Sequence, residues 1–187
     1  MKSVIMLSGP VGAGKTTVAR ELVSLMQGEV AYIEGDSFWS FLTKTGSLSR
    51  RDNFPIILRS MTAASLPLAR SGYDVVLDFS IPPDFLPIAL KILKDTPLEF
   101  VVLLPSLSTC ERRAANRSEG IISDYQRYRS FYAMFLAAPE RFTLCDDAAD
   151  ASTMAQEYWR VFAPGVFELC SSQQGRLRLQ LRTPSSY

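Results

Sequence analysis

The feature that most constrains the fold of this chain is a glycine-rich segment near its start, Gly9–Thr16, which reads Gly-Pro-Val-Gly-Ala-Gly-Lys-Thr. It matches the pattern G-x-x-x-x-G-K-[ST], in which backbone N–H groups surround phosphate oxygens. The apolar run 3–8 precedes it and predicts a strand buried on both faces of a parallel sheet. Apolar residues at helical spacing follow, and Gly28 ends that pattern. This order of strand, loop and helix predicts a phosphate-binding loop in an α/β fold.

Each residue type in the loop suits the binding of a nucleoside triphosphate. Glycines permit backbone dihedrals that side chains forbid, so successive amides can face the anion. Lys15 adds a cation near the β- and γ-phosphates, Thr16 offers a hydroxyl to Mg²⁺, and the positive end of the following helix adds to the attraction. The residues expected to contact the nucleotide here are Gly9, Gly12, Ala13, Gly14, Lys15, Thr16 and Thr17.

Composition excludes several classes of protein. A chain of 187 residues with 47% hydrophobic content fits one domain with a substantial core. Its net charge of +1 gives no electrostatic reason to expect nucleic acid or an anionic membrane as a partner. No apolar run approaches the roughly 20 residues that span a bilayer, so we expect a cytoplasmic protein. The sequence contains no histidine, so a general base would be a carboxylate or, less readily, a lysine or tyrosine.

Strand and helix patterns alternate up to about residue 162. The predicted strands are 4–8, 30–34, 73–79, 99–104 and 141–145. The predicted helices are 16–27, 37–43, 54–70, 84–94, 108–118, 123–136 and 151–161. Alternation of this kind predicts a parallel sheet with helices packed around it.

Three predicted strands lead into acidic residues, and ligands of parallel sheets bind at the carboxyl ends of the strands. The fifth strand leads into Asp146, Asp147 and Asp150, which we expect to be loop and cap residues. Asp36 follows the second strand. It could accept the proton of a substrate hydroxyl that attacks the γ-phosphate, or it could cap the next helix, and the two roles are compatible. Asp78 ends the third strand. It could orient Mg²⁺, directly or through water, or it could be a buried acid hydrogen-bonded to loop amides.

Two arginines follow the fourth strand, Arg113 and Arg117. Their spacing of four predicts that they share one face of a helix. A pair of guanidinium groups on a mobile segment can close over a transferring phosphoryl group and exclude water. The same spacing also fits a solvated basic surface.

These motifs together resemble those of the small P-loop kinases of the shikimate, gluconate and adenylate kinase type. The branch with chloramphenicol phosphotransferase and zeta-toxin-like ATP-binding proteins is the most similar. The resemblance rests on Gly9–Thr16, Gly35-Asp36-Ser37, Asp78 and Cys110-x-x-Arg113-x-x-x-Arg117. It implies a P-loop NTPase three-layer α/β sandwich, with a five-stranded parallel sheet in the order 2-3-1-4-5, helices on both faces and a short lid.

The resemblance also implies a domain organisation. The kinase-like domain would span residues 1–162, with acceptor-binding helices at about 37–70 and a lid at about 113–123. Residues 163–187 would form a C-terminal extension, which the pattern predicts to be a hairpin or loosely ordered.

Roles for individual residues follow from the same resemblance. Asp36 matches the catalytic base, Arg113 would lie by the adenine, and Arg117 would be the lid arginine facing the phosphates. Within 37–70, Arg51 and Arg59 are candidate contacts to the acceptor or else solvated surface residues. The sequence has no clear signature for shikimate or gluconate recognition.

The expected activity is transfer of the γ-phosphate of MgATP to a hydroxyl of a small-molecule acceptor, by a monomer or homodimer. Lys15 and Arg117 would stabilise the transferred charge, Thr16 and Asp78 would hold Mg²⁺, and Asp36 would act as base. Two alternatives stay open. One is a P-loop NTPase that works as a nucleotide-dependent switch without a small acceptor, and the other is a toxin-like kinase of a nucleotide sugar.

Overall fold

The computed structural model describes residues 2–118, 120–162, 167–170 and 178–181. The strands are β1 (Val4–Ser8), β2 (Val30–Glu34), β3 (Asp74–Asp78), β4 (Leu98–Leu103), β5 (Thr143–Leu144), β6 (Phe167–Cys170) and β7 (Arg178–Leu181). The α-helices are α1 (Lys15–Leu25), α2 (Arg50–Arg70), α3 (Leu86–Leu93), α4 (Leu107–Ala115), α5 (Arg129–Ala133) and α6 (Ala151–Phe162). Short 3₁₀ helices cover Gly35–Phe41, Pro83–Phe85, Gln126–Tyr128 and Glu140–Phe142.

Five strands form the parallel sheet that the sequence predicts. β1 lies between β3 and β4, β2 pairs with β3, and β5 pairs with β4, all in parallel. The order is therefore 2-3-1-4-5, as expected. This arrangement brings the carboxyl ends of β1, β2, β3 and β4 to one edge of the sheet, where the phosphate loop leaves β1.

An antiparallel pair of strands extends the sheet beyond β4. Leu169 of β6 pairs with Leu98, near the amino end of β4. β5 pairs with Val102 and Leu103, near the carboxyl end of the same strand. β7 then pairs antiparallel with β6. Within the predicted extension 163–187, the segments 163–166, 171–177 and 182–187 lie outside the described residues.

The alternation of side chains along the strands creates two hydrophobic layers, because successive residues of a strand point to opposite faces. Val4 and Met6 of β1 pack with buried residues of α2 and α3. Ile5 and Leu7 pack on the other face with α1 and α6. Burial of each such side chain stabilises the fold by about 1.5–3 kcal/mol. No helix among the described residues is long and apolar enough to cross a membrane.

The helix predicted over 108–118 is shorter than expected. α4 ends at Ala115, and the N–H of Asn116 makes the last helical bond, to Arg112. The chain then folds back, and the N–H of Ile122 donates to the carbonyl of Ala114 over 3.1 Å. The prediction that Arg117 shares a helix face with its neighbour four residues earlier is therefore wrong, because the helix has already ended.

The helix predicted over 123–136 also differs. The carboxylate of Asp124 accepts the N–H of Gln126 over 2.9 Å, a local bond that competes with helix formation. A 3₁₀ turn, Gln126–Tyr128, and a short α5 take its place. The strand predicted over 141–145 shrinks to Thr143–Leu144, because the 3₁₀ turn Glu140–Phe142 occupies its start.

Candidate active site

A cavity of about 630 Å³ lies beside the phosphate loop, at the carboxyl ends of the parallel strands. Its walls come from the loop, the residues after β2, the end of α4 and the segment before α6. The predicted site residues that line it are Gly12, Ala13, Gly14, Lys15, Thr16, Thr17, Asp36, Arg113 and Arg117. A phosphate cradle, a carboxylate and two guanidinium groups therefore share one cavity.

The backbone of the phosphate loop requires glycine at two positions that line this cavity. Gly12 and Gly14 have φ values of +82° and +93°, in the left-handed region. A Cβ atom at Gly12 would also collide with the carbonyl oxygen of Cys110. Since α1 begins at Lys15, the free N–H groups of its first turn face the same space. The loop thus has the conformation and the helix end that suit a bound anion.

The side chain of Lys15 bends back over the loop. Its Nζ donates to the carbonyl oxygen of Pro10 over 3.1 Å. Desolvation lowers the pKa of Lys15 from its ordinary value, while the charges of Asp78 and Asp36 oppose that shift and the charge of Arg117 adds to it. These interactions mean that the ammonium shares its electrostatic environment with both acids and with Arg117.

Asp78 is the last residue of β3 and lies outside the lining of the cavity. Its side chain is buried, and it neighbours Leu7 of β1 in the sheet register. The hydroxyl of Tyr32 donates to Oδ2 of Asp78 over 3.2 Å. Burial and the charge of Asp78 raise the pKa of Tyr32, so this phenol stays protonated and remains a donor.

The oxygen groups present fit a magnesium ion that also binds nucleotide phosphates. Among the described residues, no group of three or more His, Cys, Asp and Glu could hold a metal alone. Mg²⁺ in nucleotide sites commonly takes one or two protein oxygens and completes its shell with phosphates and water. The candidate protein oxygens are the Thr16 hydroxyl, which lines the cavity, and the buried Asp78 carboxylate, whose charge opposes the lowering of the pKa of Lys15.

Asp36 is exposed on the cavity wall, in the first turn of the 3₁₀ helix Gly35–Phe41. The residue that caps this helix is Glu34, and no side-chain hydrogen bond caps it. A Cβ atom at Gly35 would meet the ring of Phe79 at 2.7 Å, so only glycine lets the chain pass this close to the sheet. The carboxylate of Asp36 is thereby presented to the cavity instead of being used in a cap.

Arg113 joins the phosphate loop to the segment before α6. Its Nη1 donates to the carbonyl of Ala13 and its Nη2 to the carbonyl of Ala149, each over 3.4 Å. Arg117 lies beyond the end of α4 and is exposed. Both arginines line the cavity, although they reach it from different local structures.

Three acids around α6 act in local structure. Asp146 accepts the N–H groups of Ala148 and Ala149, and Asp150 accepts that of Thr153 in the first turn of α6. Asp147 accepts the N–H of Ser106 over 2.6 Å. Bonds from Ser106 lower the pKa of Asp147. The bond to Asp146 holds Ala149, whose carbonyl oxygen accepts from Arg113.

Four predicted site residues lie outside the cavity lining, and one of them is the buried Asp78. Arg51 and Arg59 are exposed on α2, and neither lines the cavity. Gly9 also lies outside the lining, and a Cβ atom there would collide with the carbonyl oxygen of Leu103. Gly9 therefore allows the loop to pass close to β4 where it leaves the sheet.

Several residues in or beside the cavity were not singled out from the sequence. Glu34 and Ser118 line it, and Glu34 sits beside Asp78 in the register of β2 and β3. The position of Glu34 at the end of a predicted strand was a usable signal. Tyr32 and Tyr125 had no such signal, because their contacts join segments far apart in the chain.

Comparison with known proteins gives structural neighbours. No protein-family profile matches this chain, and no curated protein matches its sequence. A sugar kinase from a Janibacter species aligns with a TM-score of 0.65 at 16% identity, over 86% of this chain and 94% of that one. The tunicamycin resistance protein of Deinococcus radiodurans aligns with a TM-score of 0.67 at 17% identity, over 86% and 95%.

A third neighbour is the APS kinase of Mycobacterium tuberculosis, whose structure contains AMPPNP and APS. It aligns with a TM-score of 0.63 at 24% identity, over 85% of this chain and 96% of the other. At these identities the likeness establishes the fold. The chain has the fold of the small P-loop kinases, which confirms the predicted fold class.

Proposed function

We propose that this protein transfers the γ-phosphoryl group of MgATP to a hydroxyl of a small-molecule acceptor. The observation that carries the proposal is the single cavity lined by the phosphate loop, Asp36, Arg113 and Arg117. Phosphoryl transfer needs little covalent chemistry from the protein and depends on positioning and charge stabilisation. A cradle of amides, two guanidinium groups and the carboxylate of Asp36 would supply those requirements.

The phosphate loop would bind the triphosphate. Amides of the loop would hold the α- and β-phosphates, and Lys15 would exchange its bond to Pro10 for bonds to the β- and γ-phosphates. The Thr16 hydroxyl and the Asp78 carboxylate would hold Mg²⁺. When bound, Mg²⁺ neutralises charge that develops on the phosphate oxygens.

Asp36 would act as the general base. Its carboxylate is exposed on the cavity wall and caps no helix, so it can accept the proton of an acceptor hydroxyl. Once that proton moves to Asp36, the acceptor oxygen forms its bond to phosphorus as the bond to the leaving ADP oxygen breaks. Lys15 and Arg117 would stabilise the charge on the transferring group.

Arg113 would lie on the side of the site that receives the adenine of ATP. Its contacts to Ala13 and Ala149 keep the guanidinium plane between the phosphate loop and the segment before α6. That location supports a contact with adenine, for which a planar guanidinium is well suited by stacking.

The acceptor would enter from the side of Gly35–Phe41 and α2. The structural neighbours include a sugar kinase and an APS kinase, which supports a small hydroxyl-bearing acceptor. Arg51 and Arg59 stay candidates for contacts made after the cavity closes, because both are exposed on α2. We expect no nucleic-acid acceptor, given a net charge of +1.

ADP release tests this proposal. Purified protein is incubated with MgATP alone and with pools of sugars, hydroxy acids, antibiotics, nucleosides and nucleotide sugars. Stimulation by one pool, lost in Asp36→Asn, is the expected result. Steady hydrolysis that ignores every pool and survives Asp36→Asn would instead indicate a nucleotide switch, and stimulation confined to nucleotide sugars would indicate the toxin-like alternative.

A further inference from the structure

A tyrosine outside the cavity lining holds the backbone of the phosphate loop. The hydroxyl of Tyr125 donates to the carbonyl oxygen of Val11 over 2.6 Å, and the two residues are 114 positions apart in the chain. Tyr125 is only 6% exposed. This short, part-buried bond links a residue just beyond the predicted lid (113–123) directly to the phosphate loop.

The same side of the loop is packed against α4. Cys110, Ala114 and Tyr125 form a buried cluster, and Val11 packs against it. The backbone of Cys110 lies so close to Gly12 that a Cβ atom there would not fit. The outer side of the loop is therefore held by α4 and by the segment that follows it.

The bond to Val11 fixes the direction of the next amide. The peptide between Val11 and Gly12 is trans, and in a trans peptide the C=O and the following N–H point in opposite directions. The carbonyl of Val11 points outward to Tyr125, so the N–H of Gly12 points to the opposite side. Gly12 itself lines the cavity.

We propose that Tyr125 is a positioning residue of the nucleotide site, whose hydroxyl holds the Val11–Gly12 peptide so that the Gly12 N–H faces a bound phosphate. This inference rests on the proposed function, since it requires a phosphate in the cavity. Tyr125 touches neither nucleotide nor acceptor. Its hydroxyl acts through the loop backbone.

The test compares two tyrosines of the same region. Tyr125→Phe keeps the ring and removes the bond to the phosphate loop. Tyr132→Phe is the matched control, because its hydroxyl donates to the carbonyl of Pro105 over 3.0 Å and not to the phosphate loop. Loss of one hydrogen bond predicts about three- to tenfold weaker binding of MgADP by Tyr125→Phe. Tyr132→Phe is expected to bind MgADP like the wild type.

Binding of inorganic tripolyphosphate distinguishes a positioning role of Tyr125 in the phosphate loop from a general loss of stability in the variant. It lacks the base and ribose, so it reports on the phosphate loop alone in competition against a fluorescent ADP analogue. We expect Tyr125→Phe to weaken tripolyphosphate and MgADP by the same factor, with a melting temperature close to that of Tyr132→Phe. Unchanged binding of both ligands, or loss of MgADP binding alone, would overturn the inference.

The wild type distinguishes failure of this inference from failure of the proposed function. If the wild type binds neither MgADP nor tripolyphosphate, both are wrong. If it binds both and transfers phosphate, while Tyr125→Phe binds them equally well, only the role of Tyr125 is wrong.

Discussion

The Nζ atom of Lys15 lies 3.1 Å from the carbonyl oxygen of Pro10, five residues earlier in the same loop. The ammonium thus has an acceptor within the loop before any phosphate arrives. A bound triphosphate would offer charged oxygens, which make stronger hydrogen bonds with an ammonium than a neutral carbonyl does. Such an exchange of partners would keep the ammonium of Lys15 hydrogen-bonded in both states.

Gly12 tests whether the loop backbone needs its observed conformation. Gly12→Ala would force a left-handed φ of +82° on alanine and press its methyl against the Cys110 carbonyl. The left-handed conformation alone costs about 1–2 kcal/mol, and the collision adds to it. We expect a lower melting temperature and loss of MgADP binding, measured by thermal unfolding and calorimetry.

Gly28→Ala is the control for that variant. Gly28 has a φ of +86°, and a Cβ atom there would have no neighbour within 4 Å. Its substitution carries only the conformational cost and leaves nucleotide binding intact. Equal losses of stability and of binding in the two variants would contradict the account of Gly12.

Asp36 tests the proposed general base. Asp36→Asn removes the basic oxygen and keeps the shape, so kcat for phosphoryl transfer should fall by about 10²–10⁴-fold while KM for ATP changes little. Asp95→Asn is the control. Asp95 is exposed and precedes β4, so it lies by the amino ends of the strands, away from the cavity. A drop in kcat of similar size in both variants, or none in Asp36→Asn, would exclude the assigned role.

Asp78 tests the metal site. Asp78→Asn removes the buried carboxylate charge, and the Mg²⁺ concentration for half-maximal activity should rise by about 10- to 100-fold. Tyr32→Phe is the matched control, since it removes the bond to Oδ2 of Asp78 and leaves the charge in place. An unchanged Mg²⁺ requirement in Asp78→Asn, measured by titration of activity, would show that Asp78 is structural.

Asp147 gives a prediction for stability against pH. Bonds from Ser106 lower the pKa of Asp147 below its ordinary 3.8, so the folded state binds fewer protons than the unfolded state in that range. The stabilisation is therefore fully present above pH 3.8 and is lost as the pH falls through the lowered pKa of the folded state. The melting temperature of the wild type should exceed that of Asp147→Asn near neutral pH, and the difference should shrink in acid. A constant difference down to acid unfolding would refute this explanation.

The sequence was sufficient for the elements defined by local pattern. Val4–Ser8 and Val30–Glu34 match their predicted strands residue for residue, because buried strands and the glycine loop carry strong local signals. The sheet order was also predicted correctly. Arg117 was placed wrongly on a helix because the end of α4 depends on the bond from Ile122 to Ala114, which no periodicity records.

The contacts that join distant segments were the least predictable part of the site. Tyr125 meets Val11 and Tyr32 meets Asp78 only after the chain has folded. Glu34 differs from them, because its place at the end of a predicted strand already indicates the edge of the sheet where it lines the cavity. Local pattern therefore predicted the phosphate loop, while the residues that support it required the fold.

The fate of the γ-phosphate tests the central claim most directly. The protein is incubated with Mg²⁺ and ATP labelled in the γ-phosphate, with the stimulating acceptor pool, beside a Lys15→Ala blank. We predict that the label appears in an organic phosphate ester, and that Lys15→Ala, which loses a cation from the loop, forms it at least about 10²-fold more slowly. Label found only in inorganic phosphate, or an equal rate of ester formation in Lys15→Ala, would contradict the assignment of this protein as a small-molecule kinase.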